Sequence, residues 1–89
     1  MLAPSFTNQF KRDLKAMEKR GKDAAKFKAV AELLISEKPL PTANRNHKLS
    51  GNYQGRWECH LEPNWLLVYK LSAQEIVFER TGTHSDLFD

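Results

Sequence analysis

The sequence predicts an α+β fold, in which an N-terminal strand and a two-helix hairpin pack on a small, mainly antiparallel β-sheet. Apolar residues recur at helical spacing in residues 6–35, and from Arg56 onward they follow the period of two that is typical of strands. Prolines and glycines separate the two regions. A chain of 89 residues is long enough for one modest core, so we expect a single domain over residues 1–89.

The first half is predicted to contain a strand and two helices. Residues 1–5 form a short strand that Pro4 confines to a sheet edge. Thr7 or Asn8 caps a helix that runs to about residue 20 and ends at Gly21. A second helix covers about residues 23–36. The inward faces of these helices are Phe6, Phe10, Leu14 and Met17 in the first, and Phe27, Val30, Ala31, Leu34 and Ile35 in the second.

The second half is predicted to be a polar loop followed by strands. Residues 42–55 contain Gly51 and Gly55 and favour a loop, with a short strand around residues 47–49. Strands then follow at residues 56–62, 65–71 and 75–81, joined by turns at Pro63-Asn64 and at residues 72–74. In the first of them, Trp57, Cys59 and Leu61 face one side of the sheet, and the charged residues and His60 face the other.

Composition limits the classes of binding partner but does not select one of them. The net charge of +3 favours an acidic partner, either nucleic acid or an acidic protein segment, and eight lysines and arginines fall within residues 11–28. A single cysteine, Cys59, excludes an internal disulfide and fits a reducing compartment. No apolar run has the character of a signal peptide or a membrane span. We therefore expect a cytoplasmic protein that does not engage the membrane.

The three histidines are the candidate catalytic groups. His47, His60 and His84 come from the loop before a strand, from a strand end and from the segment after the last strand. Each by itself fits an ordinary surface position, but all three can meet at one edge of a small sheet. Imidazole exchanges protons near neutral pH, so such a cluster can serve as a general acid and base.

Arg80 is the candidate phosphate ligand. Its planar guanidinium matches the geometry of a phosphate better than a lysine does. An ordinary salt bridge to Glu79, Glu58 or Glu62 is an equally acceptable interpretation of the same residue.

Trp65 and Phe88 are candidate stacking surfaces for a base of single-stranded RNA. Trp65 begins an apolar strand and also fits the core, whereas Phe88 either stacks or pins the tail. Cys59 is expected to be buried and unreactive. The histidine spacing predicts no metal site, and no glycine-rich loop predicts a nucleotide cofactor.

Three motifs resemble those of a known toxin family. They are His-x-Leu-x-Gly from His47, His-x-Glu-Pro-x-Trp from His60, and Arg-Thr-Gly-Thr-His-x-x-Leu-Phe from Arg80. In order and spacing they resemble the YafQ-like toxins of the RelE/ParE superfamily, and the likeness extends over essentially the whole chain. The resemblance implies a RelE-like fold and an mRNA interferase. Such an enzyme cleaves mRNA on the ribosome without a cofactor, and a cognate DinJ-like antitoxin neutralises it.

The resemblance also implies roles for individual residues. The family's functional positions fall on His47, His60, Asn64, His84 and Phe88, with Trp65 and Arg80 beside them. The implied reaction is attack of a ribose 2′-hydroxyl on the adjacent phosphate. In it, His47 or His60 is the base, His84 is the acid and Arg80 holds the phosphate.

Asn64 departs from the family, which usually carries aspartate there, and an amide cannot carry a proton. Two alternatives therefore stay open. One is a catalytically weakened or non-enzymatic relative that binds RNA or antitoxin, and the other is a ParE-like toxin with a different target.

Overall fold

A computed structural model describes residues 1–49 and 55–88 of the chain. Its elements in chain order are β1 (Ala3–Phe6), α1 (Asn8–Lys19), α2 (Ala24–Ile35), a 3₁₀ turn (Thr42–Asn44), β2 (His47–Lys48), β3 (Arg56–Glu62), β4 (Trp65–Leu71), β5 (Glu75–Gly82) and α3 (His84–Phe88). The predicted α+β class is confirmed. The part of the predicted loop that contains Gly51 lies outside the described residues.

The five strands form one mixed sheet in the order β1-β5-β4-β3-β2. β1 runs parallel to β5, and the other neighbours are antiparallel. Pro4 lies in β1 at the edge of the sheet, as its missing N–H predicts. β1 pairs with residues 75–78 of β5. Beyond these residues β5 forms a hydrogen bond with α1, in which the Asp13 carboxylate accepts from the Thr81 N–H at 3.2 Å.

Side-chain caps set the starts of both long helices. The Thr7 hydroxyl accepts from the Phe10 N–H, and the Asp23 carboxylate accepts from the Ala25 N–H. Because Thr7 is the cap, Phe6 lies in β1, and its predicted place on the inward face of α1 is wrong. Its ring still packs on that of Phe10, with 5.8 Å between centroids. Gly21 follows α1 with a φ of 93°, which glycine adopts without strain.

The core lies between the two long helices and one face of the sheet. Its largest fully buried side chains include Phe10, Phe78, Trp65 and Tyr69. Alternation along β3 turns Trp57, Cys59 and Leu61 toward this core, as predicted.

α3 was not anticipated from the sequence, which placed a tail after β5. Thr83 and Asp86 cap the helix reciprocally: the Asp86 carboxylate accepts from the Thr83 N–H at 2.9 Å, and the Thr83 hydroxyl accepts from the Asp86 N–H at 3.2 Å. Leu87 is buried and fixes the helix on the sheet. None of the helices in residues 1–49 and 55–88 has the length and the apolar run needed to cross a bilayer.

Candidate active site

The sheet face that points away from α1 and α2 carries a second, smaller apolar cluster. It consists of Leu66 and Val68 of β4 and Leu87 of α3, and Leu49 and Phe88 pack against it. We call this surface the outer face. The β3 residues that alternate with the core residues, among them Glu58 and His60, lie on this face beside the apolar cluster.

Glu58 lies between two of the predicted histidines. It pairs with His47 across β2 and β3, and one of its carboxylate oxygens is 3.5 Å from His47 Nε2 and 3.6 Å from His60 Nε2. Glu58 is only 5% exposed, and a buried carboxylate needs polar or charged partners. These three residues are the histidine–glutamate cluster, which brings His47 and His60 to one site.

The backbone fixes the other ring nitrogen of both histidines. His47 Nδ1 is 2.8 Å from the Arg45 carbonyl, and His60 Nδ1 is 3.2 Å from the Pro63 carbonyl. A carbonyl oxygen only accepts, so each Nδ1 carries a proton and donates it. Each Nε2 then points at the Glu58 carboxylate, and an ion pair forms when that nitrogen is protonated too.

The 3₁₀ turn places His47 in this arrangement. The Asn44 amide donates to the His60 carbonyl at 2.7 Å, which ties the turn to β3. Arg45 follows with a φ of 48°, in the left-handed region that costs a non-glycine residue energy. Its carbonyl, held in this conformation, is the one that accepts from His47.

His84 joins the site through the turn between β3 and β4. Its backbone N–H donates to the Asn64 side-chain carbonyl at 3.3 Å, and His60 contacts the carbonyl of Pro63, the preceding turn residue. One two-residue turn thus anchors both His60 and the first residue of α3. Asn64, predicted as a site residue, is the tether between them.

Phe88 lies on the same helix as His84, one turn later. The two rings are 5.2 Å apart between centroids, and Phe88 packs on the apolar cluster of the outer face. The ring is half-buried. It therefore takes part both in docking α3 and in forming the surface beside His84.

Arg80 is paired with a residue that the sequence did not suggest. Its Nε donates to an Asp13 carboxylate oxygen at 2.7 Å, and the side chain is 37% exposed. Of the suggested partners, Glu79 pairs with Arg56 instead. The guanidinium is held in one orientation from α1, and part of it faces solvent.

Trp65 is a core residue in the structure. Its relative exposure is 0%, and its indole N–H donates to the Thr81 hydroxyl at 2.9 Å, which in turn donates to the Leu66 carbonyl. The prediction that Trp65 stacks on a base is therefore not supported, because in this packing the ring offers no accessible face. Its position serves to fix β4 against β5.

Cys59 is buried among apolar side chains. Burial, with a smaller contribution from the charge of Glu58, raises the pKa of the Cys59 thiol to about 12. The group is a thiol at neutral pH and a poor nucleophile. The histidine–glutamate cluster is not arranged to hold a metal ion, and neither is any other group of three His, Cys, Asp or Glu side chains in residues 1–49 and 55–88.

Comparison with known proteins decides the family. The family model described as YafQ, a bacterial toxin of type II toxin–antitoxin systems, matches residues 2–89. The chain belongs to the YafQ family. It is 43% identical over 84 residues to the mRNA interferase toxin YafQ of Escherichia coli, an alignment that covers 93% of this chain and 91% of that protein. The resemblance inferred from the three motifs is confirmed.

Solved YafQ structures share the fold. The crystal structure of YafQ from E. coli strain BL21(DE3) matches with a TM-score of 0.94 at 39% identity, covering 100% of both chains. A chain of the E. coli DinJ-YafQ toxin–antitoxin complex matches with a TM-score of 0.92 at 40% identity, covering 99% of this chain and 98% of that chain. The predicted RelE-like architecture is confirmed.

Sequence reasoning missed Glu58 in this YafQ-family site. The residue was considered only as a partner for Arg80, although its position two residues before His60 places both side chains on the same strand face. The available signal was a charged residue in a strand between two imidazoles. Its burial depends on β2 and on the apolar cluster beside it, which sequence periodicity does not show.

Proposed function

We propose that this YafQ-family protein is an mRNA interferase that acts in the cytoplasm and cleaves mRNA on the translating ribosome without a metal or a cofactor. The observation that carries the proposal is the histidine–glutamate cluster, linked through the 63–64 turn to the start of α3. The name of the E. coli relative, an mRNA interferase toxin, supports the same activity.

The proposed reaction is a transesterification within the RNA. The ribose 2′-oxygen forms a bond to the adjacent phosphorus, and the bond from phosphorus to the 5′-oxygen breaks, leaving a 2′,3′-cyclic phosphate and a 5′-hydroxyl. His47 or His60 takes the 2′-hydroxyl proton, and His84 protonates the leaving 5′-oxygen. Each such proton transfer typically contributes about 10²–10⁴-fold to the rate.

Glu58 supports the base in this proposal. The imidazole that accepts the proton becomes positively charged, and the Glu58 carboxylate lies next to the Nε2 atom of both candidates. A carboxylate this close to a ring nitrogen stabilises the imidazolium that forms when that nitrogen takes the proton. The geometry differs from a Ser-His-Asp triad, because Glu58 faces Nε2 and a backbone carbonyl accepts from Nδ1. This role of Glu58 is the same whether His47 or His60 is the base.

Arg80 and Phe88 are proposed to hold the substrate. Asp13 fixes the orientation of the Arg80 guanidinium, so the solvent-facing part of the guanidinium is placed to donate hydrogen bonds to a phosphate. Phe88 places an aromatic ring beside the His84 imidazole, where a base can stack. Asn64 belongs to the proposed site through its bond to the His84 backbone.

The basic surface of α1 is proposed to contact ribosomal RNA. Lys11, Lys15 and Lys19 are exposed and spaced four residues apart, so they line one side of the helix. Lysines in such a row bind phosphates through charge without reading sequence. The ribosome would then supply the mRNA in a cleavable geometry, and the small outer face need not enclose the RNA.

A DinJ-like antitoxin is the proposed protein partner. The support is the close match to a chain of the E. coli DinJ-YafQ toxin–antitoxin complex. The positive charge of this chain suits an acidic antitoxin segment that covers either the outer face or the basic helices.

Primer extension on a defined message tests the function. Purified protein is added to the message on translating ribosomes and, in parallel, to the same message without ribosomes. We expect cuts only in the translated message, and no cuts when the antitoxin is added first. Comparable cutting of the free message would indicate an independent ribonuclease. An absence of cuts in either arm, with growth still arrested, would indicate a toxin with another target.

A further inference from the structure

An ion pair between the end of α1 and α3 lies outside the proposed catalytic groups. The Arg20 guanidinium donates to both carboxylate oxygens of Asp86, from Nη1 at 2.8 Å and from Nη2 at 3.1 Å, although 66 positions separate the two residues in sequence. This is the bidentate geometry in which guanidinium and carboxylate hold each other in a defined orientation.

The same carboxylate organises the start of α3. Asp86 accepts from the Thr83 N–H, and its Cβ and Oδ2 lie 3.0 and 3.1 Å from the place where a Cβ at Gly82 would be. The end of β5 and the first turn of α3 are therefore in close contact. A shift of Asp86 must carry the first turn of α3 with it, and His84 is the first residue of that turn.

We propose that Arg20 is a positioning residue for His84, acting through Asp86 to hold α3 on the end of β5. The proposal rests on the proposed role of His84 as the acid that protonates the leaving oxygen. Arg20 belongs to the C-terminus of α1. It is not part of the histidine–glutamate cluster, and it lines a pocket with Asp13, Arg80 and Asp86.

Energetic considerations favour a positioning role over a role in overall stability. Half of the Arg20 side chain and about a third of the Asp86 side chain are exposed, and exposed ion pairs contribute little to the stability of a whole domain. α3 has five residues, and Leu87 is its buried residue. A helix this short depends on such local links to keep one orientation. The hydrogen bond with Arg20 lowers the pKa of Asp86, so the carboxylate stays charged at neutral pH.

Backbone NMR relaxation tests the positioning directly, without reference to catalysis. In Arg20→Ala we expect the order parameters of residues 84–88 to fall from about 0.85 toward about 0.6, while those of β3–β5 stay unchanged. The matched control is Arg12→Ala, which removes the same charge from the same helix but a side chain bonded to Gln9. In that variant, residues 84–88 should remain as ordered as in the wild type.

A double-mutant cycle tests whether Arg20 acts on cleavage through Asp86. Single-turnover cleavage on translating ribosomes should fall about 10- to 100-fold in Arg20→Ala, and by more than in Arg12→Ala, because small displacements of a catalytic group are costly. Asp86→Asn keeps an acceptor for the Thr83 N–H and removes the charge. In that background Arg20→Ala should cost less than about a further twofold.

Two results would overturn the proposal. One is order in residues 84–88 of Arg20→Ala equal to that of the wild type. The other is losses from Arg20→Ala and Asp86→Asn that multiply independently, as expected if Arg20 contacts RNA itself. If His84→Ala cleaves at the native rate while Arg20→Ala still loosens α3, the proposed function fails and the structural link stands.

Discussion

Glu58 is a charged residue that is 5% exposed, and its cationic partners are His47 and His60 when they are protonated. Leaving the buried Glu58 carboxylate without a partner costs free energy, and both imidazoles face the same carboxylate oxygen. The positions of the two imidazoles are therefore coupled through Glu58. A substitution at Glu58 should consequently affect both histidines. This dependence makes Glu58 a sharper probe of the cluster than either histidine by itself.

Replacing Glu58 by Gln tests the cluster at the scale of one residue. The amide keeps the shape but removes the charge, so we expect cleavage on translating ribosomes to fall by at least about tenfold, because the imidazolium loses the adjacent negative charge that stabilises it. Glu32→Gln, an exposed change on α2, is the matched control. Urea unfolding shows whether both proteins stay folded. A folded Glu58→Gln protein with wild-type activity would remove Glu58 from the site.

The turn at Pro63-Asn64 and α3 act together at the scale of elements. The Asn64 side chain accepts from the His84 N–H, so the turn sets where α3 begins. An asparagine in a turn is often there for the turn alone. The contact with His84 gives Asn64 a second role, which is to hold the start of α3. Substitutions of Asn64 can separate this role from its role in the turn.

Asn64→Asp and Asn64→Ala separate the two roles. Aspartate keeps the acceptor and adds a negative charge beside the His84 backbone, and a negative charge in the neighbourhood of an imidazole favours its protonated form. We expect higher cleavage or a pH optimum moved upward with Asp, and lower cleavage with Ala. The measurement is a pH–rate profile for each protein on translating ribosomes. If the profiles of the asparagine and aspartate proteins superimpose, Asn64 serves only the turn.

The long periodic elements and the short strands β1 and β2 could be predicted from the sequence, whereas α3 and the 3₁₀ turn could not. α1, α2 and β3–β5 each extend over enough residues for the apolar period to be recognised. α3 and the 3₁₀ turn are shorter than that window. The spacing of Thr83 and Asp86 was the available signal for α3, since a threonine followed three residues later by an acidic side chain is typical of a helix start.

At the scale of the whole molecule, sequence motifs identified the histidines as candidate site residues. The ion-pair partners of the arginines could be identified only from the fold. Arg80 pairs with Asp13 across 67 positions and Arg20 pairs with Asp86 across 66. Which charges meet over such separations depends on how the helices dock on the sheet, and local sequence patterns do not contain that information. Trp65 was predicted as a substrate-binding residue, although its place at the start of an apolar strand favoured the core, and the structure shows it buried.

The arrangement of charge over the whole molecule fits two separate surfaces. The lysines of α1 are exposed on the helical side, whereas the histidine–glutamate cluster lies on the outer face. With this arrangement, the lysine surface can bind a large anionic partner while the histidine–glutamate cluster acts on an RNA strand that the partner presents. In the proposed function the histidines are therefore the chemical groups, and the ribosome holds the message.

Single-turnover cleavage by histidine variants tests that claim most directly. Wild-type, His47→Ala, His60→Ala and His84→Ala proteins, each shown to be folded, are mixed with message on translating ribosomes, and the fragment ends are analysed. We expect each substitution to lower the rate by about 10²–10⁴-fold, and the wild type to leave 2′,3′-cyclic phosphate and 5′-hydroxyl ends. Cleavage at the native rate by both His60→Ala and His84→Ala would contradict the account.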